Sequence, residues 1–62
     1  MRYEIERLTK DGWHCFASCG DLVTANLSFQ SFRKDMPRTA LRIVESDGRR
    51  LVCLHDPRPT LS

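Results

Sequence analysis

Along residues 18–36 the apolar side chains fall at Cys19, Leu22, Ala25, Phe29, Phe32 and Met36. These steps of three and four collect on one side of a helix with about 3.6 residues per turn. The pattern predicts one amphipathic helix whose two phenylalanines supply most of a core against a sheet. Ser18 with Asp21 three residues on fits a capping box, and Asp21 suits the positive end of the helix dipole. Gly20 costs up to about 1 kcal/mol in a helix interior and less in the first turn. Pro37 sets the end, because the residue before a proline is pushed out of the helical region, and Arg33 and Lys34 place cations in the last turns, where the dipole favours them.

Elsewhere the period is two. Tyr3 and Ile5 alternate with Glu4 and Glu6, the pattern of a half-buried strand. Asp11-Gly12 then predicts a tight hairpin turn into a second strand over residues 13–17. With those two residues as the loop, Lys10 faces Trp13, Leu8 faces Cys15, Arg7 faces Phe16 and Glu6 faces Ala17. Tyr3, Ile5 and Phe16 then share one face, and Leu8, Trp13, Cys15 and Ala17 share the other. A second hairpin is predicted over residues 40–46 and 49–55 around Asp47-Gly48. Its pairing sets Glu45 opposite Arg50, Val44 opposite Leu51, Ile43 opposite Val52, Arg42 opposite Cys53 and Leu41 opposite Leu54. An aliphatic face of Leu41, Ile43, Val52 and Leu54 results, backed by Arg42, Val44, Leu51, Cys53 and His55. Residues 57–62, with two prolines, cannot continue a ladder and read as a loose tail.

The predicted class is therefore α+β, a ββαββ domain over residues 1–56. A right-handed crossover through the helix lays the third strand beside the first. The sheet is then four-stranded and antiparallel in the order 2-1-3-4, with the helix on one face and the second and fourth strands as edges.

Tyr3-x-Ile5, Gly12-Trp13-x-x-Phe16-Ala17-Ser18, the capped helix and Arg42-Ile43-Val44-Glu45-x-Asp47-Gly48 resemble a class of very small ββαββ proteins of phages, prophages and their bacterial hosts. Many of that class have no assigned activity, and some similarly small phage proteins act by blocking a host protein. Over residues 2–55 the resemblance implies architecture and a mobile-element origin. It implies no catalytic residues.

Size limits the rest. A chain of 62 residues buries only about 60% of its unfolded surface, which leaves room for one helix on one sheet and no roofed pocket. Such domains commonly gain stability by pairing. No apolar run approaches the roughly 18 residues of a membrane span, and no charged-then-apolar leader is visible, so a cytoplasmic location and no membrane partner are expected. The three cysteines then read as reduced thiols.

Cys15-x-x-x-Cys19 with Cys53-x-His55 has paired ligand types for zinc. The predicted strand order sets Cys15 and Cys53 on opposite edges, three gaps of about 4.8 Å apart, so no metal site and no cofactor are expected. His14 beside Cys15 points to the opposite face of its strand, which removes a Cys-His nucleophile pair. With no convergent carboxylates and no phosphate loop, no catalytic residue is assigned and the chain reads as a non-enzyme.

Two surfaces remain. Leu8, Trp13, Cys15, Ala17, Val44, Leu51 and Cys53 are expected on the sheet face away from the helix, an apolar centre rimmed by Glu4, Glu6 and Arg42. Such patches mark interfaces. Leu8, Trp13, Arg42, Val44 and Leu51 are accordingly the expected protein-binding residues, for a homodimer or a complex with another protein. The alternative is a nucleic-acid-binding module using Arg38, Arg42, Arg49 and Arg50, with Arg33, Lys34 and Arg58 nearby and Trp13 as a stacking platform. Against it, ten basic and eight acidic residues are interspersed, the pattern of a solvated mixed surface.

Overall fold

Alternation at either end and a helical period in the middle fold as the pattern predicts. The computed structural model describes residues 2–57 as β1 (Tyr3–Thr9), β2 (Gly12–Cys19), α1 (Leu22–Asp35), β3 (Leu41–Glu45) and β4 (Arg50–His55). The strands form one antiparallel sheet in the order β2-β1-β3-β4, with α1 joining β2 to β3. The tail expected over residues 57–62, Arg58 included, lies outside the described residues apart from Pro57.

The core lies between α1 and one sheet face. Ile5 on β1, Leu41 and Ile43 on β3, Ala25 and Phe29 on α1, and Cys19 at the end of β2 are buried together. Tyr3, Phe16, Ala17, Phe32, Met36 and Cys53 pack around them. The Phe16 and Phe32 rings meet edge to face with centroids 4.7 Å apart, a geometry that brings the positive ring edge to the negative face.

Three local expectations are corrected. The helix begins at Leu22, with Asp21 rather than Ser18 as its cap: Asp21 Oδ1 accepts the Thr24 amide at 2.8 Å and Oδ2 accepts the Thr24 hydroxyl at 3.1 Å. Ser18 and Cys19 instead extend β2, opposite Glu4 and Tyr3, because the sheet offers this segment a full ladder of backbone partners and a free helix start offers few. Leu22, expected in the buried stripe, is exposed.

The first hairpin turns one residue earlier than expected. Lys10 and Asp11 form the loop, Leu8 faces Trp13, and Glu6 faces Cys15. The positive φ of 113° falls on Gly12, which has no Cβ to clash there. Pairing sums change by two, so Trp13 and Cys15 keep the face predicted for them. A bulge beside Ile5 and Glu6 then inserts one residue into β2 and turns Ala17 into the core.

A second bulge changes β4 more. Glu45 faces Arg50 and Val44 faces Leu51 as expected, but past the irregularity Ile43 faces Cys53, Arg42 faces Leu54 and Leu41 faces His55. Cys53 therefore takes the core side, while Val52 and Leu54 are exposed instead of buried. The left-handed residue of this turn is Arg49, at φ 54°, rather than Gly48. A turn of residues 46–49 replaces the two-residue Asp47-Gly48 loop.

Candidate interaction face

On the sheet face away from α1, the registers bring Glu4, Glu6 and Leu8 of β1 between Trp13 and Cys15 of β2 and Arg42 and Val44 of β3. Leu51 and Leu54 of β4 lie beyond Val44 and Arg42. At the centre stands a carboxylate. Glu6 is only 4% exposed although no helix covers it. Arg42 Nε donates to its Oε1 at 2.7 Å and Arg49 Nη2 to its Oε2 at 3.0 Å. Arg49 Nη1 also donates to Glu4 Oε1 at 3.1 Å. The apolar centre with a charged rim is thus reversed: charge holds the middle and the leucines flank it.

This works because each charged group has partners. Burial alone raises the Glu6 carboxyl, but the Arg49 and Arg42 hydrogen bonds outweigh it and hold the pKa below the ordinary value, so Glu6 stays ionised at neutral pH. The same contact with Glu6 raises the Arg49 guanidinium. Arg42 also stacks on Trp13, its guanidinium carbon 4.2 Å from the ring centroid, a cation–π contact that reaches across β1 from β3 to β2. To join β1 from the β3–β4 turn, the Arg49 side chain must cross β3, and Val44 lies opposite Glu4 on that path. Val44 is only 2% exposed in consequence.

The five expected interface residues thus divide. Leu8 and Trp13 are half-buried beside the network, Arg42 links Trp13 to Glu6, and Val44 is buried beneath it. Only Leu51 is open, at 53% exposure, and Val52 and Leu54 join it at 38% and 50%. Sequence reasoning placed these last two in the core; the signal it lacked was the β4 bulge, which backbone periodicity does not announce. Ala17 and Cys53, expected on this face, belong to the other.

Of the four residues expected to bind nucleic acid, two are engaged within the sheet. Arg42 and Arg49 are engaged by Glu6 and Glu4, Arg50 stands opposite Glu45, and Arg38 lies in the turn after α1.

Cys15 is on the open face and Cys19 is buried on the helix side. Partial burial and the adjoining Glu4 carboxylate raise the Cys15 thiol above its ordinary pKa, which lowers its thiolate fraction and its reactivity. Among the described residues no three His, Cys, Asp or Glu side chains converge, and no helix is long and apolar enough to cross a membrane. No family model matches the chain, and no match is found among curated proteins or solved structures.

Proposed function

We propose that this domain is a small non-enzymatic protein-interaction module that works through the outer sheet face and its β4 edge. One observation carries the reading: three of the six exposed large hydrophobics among the described residues, Leu51, Val52 and Leu54, sit on this edge strand beside a network that fixes Trp13 and Arg42. Apolar exposure beside anchored aromatic and guanidinium groups is the make-up of an interaction hot spot. A phage or prophage origin, which the resemblance implies, and the cytoplasmic setting expected from the sequence suit a domain that acts by occupying a host protein. The nucleic-acid alternative is disfavoured because Arg42 and Arg49 already neutralise carboxylates.

The test is affinity capture from bacterial extract with wild-type and Leu51→Ser baits at two salt concentrations. A protein retained by the wild type at high salt and lost with Leu51→Ser supports the reading. Nucleic acid retained at low salt and released steeply as salt rises overturns it in favour of phosphate contacts.

A further inference from the structure

Resting on that reading, we infer that one partner of the β4 edge is a second copy of this chain, joined through antiparallel β4–β4 pairing about a two-fold axis at Cys53. The β4 bulge supplies the reason. Arg50 faces Glu45, Leu51 faces Val44, Cys53 faces Ile43, Leu54 faces Arg42 and His55 faces Leu41. With Val52 as the inserted residue, Leu51 and Leu54 lie on the outer face, and Arg50, Cys53 and His55 on the helix face.

Read backwards, this order is the same: inner, outer, inner, outer, inner. A second β4 running antiparallel therefore meets the first with every opposed pair on a common face, as sheet pairing requires. Cys53 meets Cys53, Leu51 meets Leu54, and Arg50 meets His55. Each strand spans its partner's bulge as β3 already does. Without Val52's displacement, Leu51 and Leu54 would fall on opposite faces and the leucines could not meet.

The product is an eight-stranded sheet with both helices on one side. Four leucines, two from each copy, join in the middle of the outer face, which reduces the exposure of Leu51 and Leu54. The outward rows of backbone N–H and C=O on the two β4 edges, unpaired among the described residues, satisfy each other. Direction matters too: antiparallel pairing holds the two Arg50 side chains at opposite ends of the contact, whereas in-register parallel pairing would set Arg50 against Arg50. The opposite edge is less suited, since the exposed residues of β2 are His14, Cys15 and Ser18 while its apolar side chains are buried or half-buried. A single strand of six residues makes an interface at the small end of the specific range, so the dimer should be in concentration-dependent exchange.

Sedimentation equilibrium over a concentration series, followed by mild copper-catalysed air oxidation and peptide mapping, tests the arrangement. Opposed cross-strand residues have Cα atoms about 4.5–5.5 Å apart, within reach of a disulfide. The expected result is a mass rising from one chain to two, with a Cys53–Cys53 cross-linked product. Leu51→Glu with Leu54→Glu should weaken association at least about tenfold while circular dichroism stays unchanged. A wild type that remains monomeric at the highest concentration overturns the inference, and the affinity-capture result then judges the broader reading separately. A dimer that oxidises through Cys15 instead overturns the β4 pairing and assigns the contact to the outer face. That cross-link is read on the wild type, so it stands even if the glutamate variant unfolds.

Discussion

Arg42 lies flat over the Trp13 ring at 4.2 Å while its Nε holds Glu6 at 2.7 Å, so one guanidinium joins the edge strand β2 to β3 across β1. Arg42→Ala removes both contacts at once. It leaves Glu6, almost fully buried, with Arg49 alone. We expect a loss of about 2 kcal/mol, from the cation–π contact and from an under-partnered buried carboxylate. Trp13 emission should shift to the red in the folded variant. Urea unfolding followed by fluorescence reads both, and an unchanged midpoint would show the network to be ornamental.

Acid should act on the same centre. The folded-state pKa values of Glu6 and Asp21 both lie below their ordinary values of 4.5 and 3.8. In the folded state each proton is therefore bound less readily than in the unfolded chain. The stabilisation is fully present above those values and is lost as pH falls through the folded ones. Thermal unfolding from pH 7 to pH 3 should show a flat Tm down to about pH 5 and a decline below it. In Glu6→Gln the decline should be shallower, with a lower plateau.

Capping distinguishes two residues that look equivalent in sequence. Asp21→Ala should cost about 1 kcal/mol, the usual effect of removing a cap. Ser18→Ala should cost less than about 0.5 kcal/mol, because its hydroxyl meets only the exposed Arg2 guanidinium. Equal losses in a denaturant titration would contradict the Asp21 cap.

Turn glycines separate in the same way. Gly12→Ala places a Cβ on a residue at φ 113°, and we expect a loss of about 1–2 kcal/mol. Gly48 has open space around it and no positive φ, so Gly48→Ala should be near neutral. Chemical denaturation of the two variants provides the comparison.

At the core, Phe29→Ala should remove about 3–5 kcal/mol. For a domain of this size that is much of a total stability on the order of 5 kcal/mol. Far-UV circular dichroism at 25 °C should show the variant largely unfolded.

The ββαββ order and the helix face of Ala25 and Phe29 follow from local pattern, since a period of two or of about 3.6 is written in neighbouring residues, and the 2-1-3-4 sheet follows once the crossover through the helix is right-handed. The outward face of Trp13 and Cys15 was legible for the same reason: a two-residue change in pairing leaves side-chain parity intact. The two bulges were not legible. A bulge inserts one residue at a point that no local period marks, and only the assembled sheet shows that Ala17 and Cys53 turn inward while Leu54 turns out. The Glu6 centre depended likewise on tertiary structure. Glu4, Glu6 and Arg42 could be placed on one face from strand parity, but Arg49 lies in a turn, where no period fixes direction, and its reach over Val44 to Glu6 exists only once β3 lies beside β1.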